Sequence, residues 1–239
     1  MEQKKSVYKR VLLKLSGEAL AGDGKTGLDF HIMTDVCKVI ARCVEQGVEV
    51  GIVVGGGNFW RGVKNGEGKM ERARADYMGM MATVMNCLAL QDVLEQCGVS
   101  AKVQTALSIQ SIGETFDVKK ADEYLKSGSV VIFGCGTGSP YFSTDTGAVL
   151  RAALIGADAI LLAKNVDGVY SADPKTDPTA VKFDELSYDE VLSRHLAVMD
   201  STATCMAMDN NIPVMVFALA DPENILRVVN GEAIGTIVR

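Results

Sequence analysis

Residues 48–61, VEVGIVVGGGNFWR, decide the fold. Val48 to Val54 is rich in β-branched residues, interrupted only by Glu49 and Gly51, and reads as a strand. It passes without a spacer into Gly55-Gly56-Gly57-Asn58, with Arg61 three residues on. Consecutive glycines leave backbone N–H groups uncovered, and an arginine adds a planar, bidentate donor, so the stretch suits a phosphate. The plainer alternative is a flexible turn with a solvated arginine.

The same arrangement recurs on either side. Val11 to Leu15 reads as a buried strand ending at Ser16-Gly17, and Val130 to Phe133 as a strand opening into residues 134–145, GCGTGSPYFSTD. Apolar spacing predicts helices over 29–46, 73–97 and 117–127, from near Asp145, and over 187–194, 199–210 and 221–230. Further strands are expected at Val99–Thr105, Ala157–Ala163, Pro213–Leu219 and Gly235–Val238, and Asp167-Gly168 reads as a hairpin turn. This alternation predicts an α/β fold with a mostly parallel central sheet sandwiched by helices, as one domain over 1–239. Ligands of such sheets bind beyond the carboxyl ends of the strands, where three of the glycine clusters fall.

Composition agrees. There are 24 Gly against 5 Pro in 239 residues, and the glycines are clustered rather than spread as in a linker. With 48% hydrophobic residues the chain can bury a core without staples. No apolar run is long enough for a membrane span, and Lys14 interrupts the short apolar stretch near the N-terminus, so a cytoplasmic location is expected. The net charge of −6 disfavours a nucleic-acid surface. None of the six Cys forms a CxxC pair and only His31 and His195 are present, so zinc spacing is missing and reduced, buried thiols are expected. Cys135 differs in lying within a glycine loop.

Two glycine motifs mislead. Gly24-Lys25-Thr26 looks like the end of a P-loop, but Ala19 stands where the first glycine is required. Residues 22–27 match GxGxxG, yet GEALA separates them from the preceding strand, so the dinucleotide context is lost.

What remains forms a constellation. Lys14 within an apolar strand is costly to bury without an anionic partner, unless it points to water from an edge strand. Residues 134–145 combine glycines, small hydroxyls and two aromatics ahead of a helix N-terminus, which suits a nucleotide monophosphate. Asp145 at that helix start also reads as a simple cap.

The strings YKRVLLKLSGEAL, GIVVGGGNFWRG, DYMGMMATVMN, GTGSPYFSTDT, KNVDGVYSADP and VMDSTATCMAMDNNIPVMVF together resemble the amino acid kinase family, and within it the bacterial uridylate kinases. The resemblance runs from about Val7 to Ile237. It implies the amino acid kinase-like fold and ATP-dependent phosphorylation of UMP to UDP in pyrimidine nucleotide biosynthesis. It places Lys14, Leu15, Ser16, Gly17, Gly57, Arg61, Lys164, Asn165, Tyr170 and Asp173 on the ATP side. UMP would meet Gly56, Asp76 at the ribose, and Thr137, Gly138, Ser139, Pro140, Tyr141, Phe142, Ser143 and Thr144. Lys14, Arg61, Asp145 and Asp200 would be catalytic, the two aspartates by holding lysines, directly or through water or a metal, rather than by proton transfer. Residues Gly22, Asp23, Gly24, Lys25, Thr26 and Gly27 would form an allosteric loop linked to GTP activation, with UTP as inhibitor, in a homohexamer. Met78 to Met85 reads as a core stripe or an interface helix.

A phosphate monoester, with a second pKa of roughly 6, is already nucleophilic near neutrality. No general base is then required, and no protein metal site is expected. Mg²⁺ would ride on the ATP phosphates. His31 and His195 are placed in ordinary helical context. Two other readings stay open: a kinase of the same fold with another acceptor, and a nucleotide-sensing regulator that keeps the pocket.

Overall fold

The computed structural model describes residues 6–24, 26–61, 69–174 and 176–239, apart from the side chain of Asp23. Lys25 and that side chain, both assigned to the allosteric loop, lie outside the described residues. The elements in order are β1 (Arg10–Leu15), a 3₁₀ segment (Glu18–Gly24), α1 (Phe30–Glu45), β2 (Glu49–Val54), α2 (Arg72–Gln96), β3 (Ala101–Thr105), β4 (Glu114–Thr115), α3 (Val118–Lys126), β5 (Val130–Gly134) and α4 (Thr144–Ile155). There follow β6 (Ala159–Lys164), β7 (Val169–Tyr170), β8 (Lys182–Phe183), β9 (Glu185–Leu186), α5 (Tyr188–Ser193), α6 (Ser201–Asp209), β10 (Val214–Ala218), α7 (Glu223–Val229) and β11 (Thr236–Val238).

Nine strands form one sheet in the order β4-β3-β5-β2-β1-β6-β10-β11-β9, and β7 and β8 form a separate ribbon. Among the described residues, the β10–β11 pair alone is antiparallel within the large sheet. The ends of β1, β2, β5 and β6 therefore emerge at one edge.

Side-chain alternation divides the core into two layers. Leu13 and Leu15 of β1 join Ile52, Val54 and the buried faces of α1, α2 and α7. Leu12 points the other way, to Val53, Phe133, Leu162 and the buried faces of α3, α4 and α6. Each fully buried large apolar side chain contributes roughly 1.5–3 kcal/mol. Helix starts are fixed by side-chain caps: Asp29 on α1, Asp117 on α3, Ser143 on α4 and Asp200 on α6.

The long elements match the sequence expectation to within a few residues. Three details differ. Asp167-Gly168 leads into β7 and is not the hairpin turn; β7 pairs with β8 across the longer connection 171–181. The Asp167 carboxylate instead accepts from Tyr170 Oη at 2.7 Å and Lys182 Nζ at 3.0 Å, bracing the base of that ribbon. His195 is not helical: it follows α5 with φ of 51°, in the left-handed region. The Met-rich stretch is not a core stripe. Met80 is buried, whereas Tyr77, Met78, Met81, Met85 and Leu88 are exposed.

Candidate active site

Lys14 lies on β1, which pairs with β2 on one side and β6 on the other, opposite Val53 and Leu162. It therefore cannot reach water from a sheet edge. It shares the face of Leu12, toward α4, and there Lys14 Nζ meets Asp145 Oδ1 at 2.6 Å. Asp145 is the second residue of α4, whose cap is Ser143, so the aspartate is released from capping and holds the lysine. Lys164, at the end of neighbouring β6, donates to the carbonyls of Val198 and Ala197. Burial pushes its ammonium below the usual lysine range; Asp145 opposes that shift and Lys14 adds to it.

Asp200 touches no lysine directly among the described residues: it caps α6 through Ala203 N–H at 3.0 Å and accepts from the hydroxyls of Ser143 and Thr146. It fixes the start of α4, and with it the residue that grips Lys14. The close approach needed there explains Gly147, otherwise a poor helix former: an added Cβ would stand 3.2 Å from the backbone of Gly136.

The glycine loop after β2 is packed rather than loose. At Gly56 a Cβ would lie 2.8 Å from Ala82 Cβ and 2.8 Å from the Gly79 carbonyl, so α2 presses directly on the loop. Gly57 is open, its nearest such neighbour being Glu18 at 3.6 Å. Arg61 forms an ion pair with Glu18.

Two cavities meet here. The larger, about 850 Å³, is lined by Glu18, Gly22, Thr26, Gly57, Trp60, Arg61 and Asn165 among others. The smaller, about 290 Å³, is lined by Gly56, Gly57, Trp60, Asp76, Thr83, Gly136, Thr137, Ser139, Phe142, Ser143 and Thr144 with four more residues. Gly57 and Trp60 border both.

The loop forming the far wall of the smaller cavity has an unusual backbone. Cys135, Gly136, Gly138 and Tyr141 have φ of 64°, 53°, 82° and 73°. Thr83 Oγ1 accepts from Cys135 N–H at 2.9 Å, and Asp76 Oδ2 accepts from Tyr141 N–H at 2.8 Å. Asp76 is held in turn by Arg72, one helical turn earlier, at 2.8 Å. Replacement of Asp76 by asparagine removes the charge from both contacts; a charge-assisted bond is worth roughly 1.5–3 kcal/mol, so, on the activity that the resemblance implies, we expect the KM for UMP to rise about tenfold or more with kcat little changed. An unchanged KM in steady-state assays would remove Asp76 from the site.

The sequence-predicted residues are thus gathered unevenly. Gly56, Asp76, Thr137, Ser139, Phe142, Ser143 and Thr144 share one cavity, while Gly138, Pro140 and Tyr141 shape the loop without lining it. Ser16 and Gly17 turn the chain out of β1, their carbonyls accepting from Ala19 and Leu20 N–H. Leu15 is corrected: its side chain is fully buried in the core and its carbonyl is taken by Gly55 N–H, so it presents no contact surface to a ligand. On the ATP side, Gly57, Arg61 and Asn165 border the larger cavity, whereas Tyr170 and Asp173 line a separate cavity of about 460 Å³ together with His195. Gly22 and Thr26 also face the larger cavity, so the predicted allosteric loop adjoins the phosphate loop.

Trp60, Arg72, Thr83 and Glu18 were missed. The Arg72–Asp76 spacing of four carried a helical ion-pair signal. Trp60 and Thr83 carried none, because their roles arise from packing across α2. Cys135 is buried, and burial raises its thiol above the ordinary range. Among the described residues no group of three or more His, Cys, Asp or Glu converges as a metal cage, and no helix is long and apolar enough to cross a membrane.

The model of the amino acid kinase family matches residues 9–218. The UMP kinase of Bacillus anthracis superposes with a TM-score of 0.94 at 37% identity, over 97% of this chain and 96% of that one. The UMP kinase of Ureaplasma parvum gives 0.91 at 36%, over 96% and 98%. The uridylate kinase of Archaeoglobus fulgidus gives 0.75 at 34%, over 96% and 99%. A match across most of its length, on a sheet whose glycine-rich ends gather at one edge around Lys14, makes this chain a member of the amino acid kinase family.

Proposed function

We propose that this protein is a UMP kinase, transferring the γ-phosphoryl group of ATP to UMP by in-line displacement without a general base. The observation that carries the reading is the pair of cavities, one large and one small, that share Gly57 and Trp60 as a common wall. A nucleoside triphosphate in the larger and a monophosphate in the smaller would bring donor and acceptor phosphates together at the glycine loop. The solved structures of UMP kinases from Bacillus anthracis and Ureaplasma parvum, so similar over nearly the whole chain, support the same substrates.

The chemistry reduces to positioning and charge. The acceptor oxygen needs no deprotonation beyond its own ionisation. Lys14, aimed by Asp145, supplies a cation fixed before substrate arrives. Glycine N–H groups supply donors, and Arg61 exchanges its carboxylate partner Glu18 for phosphate. Lys164 adds a second half-buried cation, and Asp200 acts through Ser143 and Thr146 as a positioning residue. Asn165, on the wall of the larger cavity, would face the triphosphate, with Ser16 and Gly17 at the neighbouring end of β1, and Tyr170 and Asp173 would face the adenosine. The carboxylates at hand, Asp145 and Asp200, are both engaged, which suits a Mg²⁺ carried by phosphate oxygens and water rather than by a protein cage. That ion would neutralise charge on the transferring phosphates.

His195 lines the cavity beside Tyr170 but lies on the adenosine side, away from the phosphates in this reading. His195→Ala should leave kcat within about twofold of wild type, as for a substitution outside the reacting centre. A large loss of kcat would contradict transfer without a base.

A homo-oligomer, the hexamer that the resemblance implies, would use the exposed stripe Met78, Met81, Met85 and Leu88, spaced along one side of α2. GTP activation and UTP inhibition belong to the same reading, with residues 22–27 as the responsive loop beside the ATP cavity. The deciding experiment couples UDP formation to a spectrophotometric readout with UMP and ATP, using CMP and dTMP as control acceptors. UDP formed with UMP far above the controls supports the proposal; ATP hydrolysis indifferent to UMP overturns it.

A further inference from the structure

We infer that Asn86, on α2, is a positioning residue that locks the phosphate-binding glycine loop through a reciprocal amide pair with Asn58; the inference rests on the kinase reading above. Asn86 is 0% exposed and Asn58 2%. Each amide nitrogen donates to the other's oxygen, Asn58 Nδ2 to Asn86 Oδ1 at 2.9 Å and Asn86 Nδ2 to Asn58 Oδ1 at 2.8 Å. The second proton of each nitrogen is also used. Asn86 donates to the Gly55 carbonyl at 2.6 Å, and Asn58 to the Gly27 carbonyl at 2.7 Å. Gly27 N–H returns a bond to the Asn58 carbonyl at 3.2 Å.

All four amide protons are therefore spent on fixing backbone or partner. Buried amides left unpaired are costly, so the pair holds as a unit. It joins three segments that do not otherwise share an element: the glycine loop after β2, the end of the 22–27 loop, and α2. Beneath it, Gly56 is seated on the Gly79–Thr83 turn of the same helix. Alongside it, Gly17 leaves no room for a Cβ, which would stand 2.4 Å from Asn58 Oδ1. The loop that would cradle phosphate is thus gripped by α2 at two points; Asn86 lines neither cavity, whereas Asn58 borders the larger one, so Asn86 is the cleaner probe of positioning.

Asn86→Asp keeps size and shape but replaces both donations with a carboxylate oxygen facing two acceptors. We expect kcat at saturating ATP and UMP to fall roughly 10- to 100-fold, the scale of a small misplacement at the reacting centre, with the KM for UMP changed far less. If that variant does not fold, Asn86→Ser and Asn58→Ser are read in the same way. Their double variant should lose little more than the worse single one, because both act through one pair. Val93→Ala, buried two turns further along α2, lowers the melting temperature as a control and should leave kcat within about twofold.

A second readout needs no substrate: amide hydrogen exchange in peptides covering 22–27 and 55–58 should accelerate in Asn86→Ser and not in Val93→Ala. Wild-type UDP formation, measured first, isolates failure of the kinase reading from failure of this one. Wild-type kcat in a folded Asn86 variant, losses that multiply in the double variant, or unaltered exchange would each overturn the positioning role.

Discussion

Lys14→Ala is expected to reduce kcat about a thousandfold, equivalent to ~4 kcal/mol of transition-state stabilisation, with UMP affinity nearly intact. The lysine sits on the central strand β1 with Asp145 at 2.6 Å, so its charge is oriented before substrate binds. Negative charge shifts between donor and acceptor oxygens as the phosphoryl group moves, and a fixed cation acts most strongly where that shift is greatest. In the proposed function the acceptor binds in the smaller cavity, whose walls do not include Lys14. The alanine variant also leaves the half-buried Asp145 without its counter-ion, so a melting temperature must accompany the kinetics. Steady-state constants with UMP varied at saturating ATP give the check. Equal losses in kcat and in UMP affinity would remove the transition-state role.

Gly17→Ala should damage both stability and turnover. Its methyl group would stand 2.5 Å from the Gly55 carbonyl and 2.4 Å from Asn58 Oδ1. The first is backbone and cannot swing aside, so the ends of β1 and β2 must separate. Forced overpacking of this kind costs typically ~1–3 kcal/mol, and displacement of the phosphate loop should lower kcat about a hundredfold. Gly57→Ala is the useful contrast in stability, since its Cβ would have 3.6 Å to the nearest neighbour. Denaturation midpoints should fall for the first and stay near wild type for the second. A Gly17→Ala variant with wild-type stability would show that the two strand ends can part freely.

The order of strands and helices was legible because each long element carries its own periodicity and stop signal. The common edge of the site followed from glycines placed just after strands. Residues whose role depends on a partner far along the chain were harder. Asp200 reads as a lysine holder by resemblance, yet it meets Ser143 and Thr146 because α6 packs beside α4. Leu15 shares a string with Lys14 and Ser16, but alternation on a strand turns it into the opposite layer. The hairpin was misplaced because Asp-Gly is a local turn signal, whereas β7 pairs only two residues and depends on Asp167 and Lys182. Asn58 is visible in the sequence as the residue that ends Gly55-Gly56-Gly57; that its amide faces Asn86, 28 residues later, is a fact of packing.

The backbone of 135–141 has a consequence for how a nucleotide arrives. Two residues with side chains, Cys135 and Tyr141, occupy the left-handed region, which costs roughly 1–2 kcal/mol each. Folding itself meets that cost, with Thr83 and Asp76 holding the loop in place. Little conformational entropy is then left to lose on association, and preorganisation of this kind strengthens affinity without adding a contact. Arrival at such a loop resembles docking to a finished surface, and the lifetime of the complex, rather than the rate of encounter, becomes the quantity that side-chain changes around it adjust.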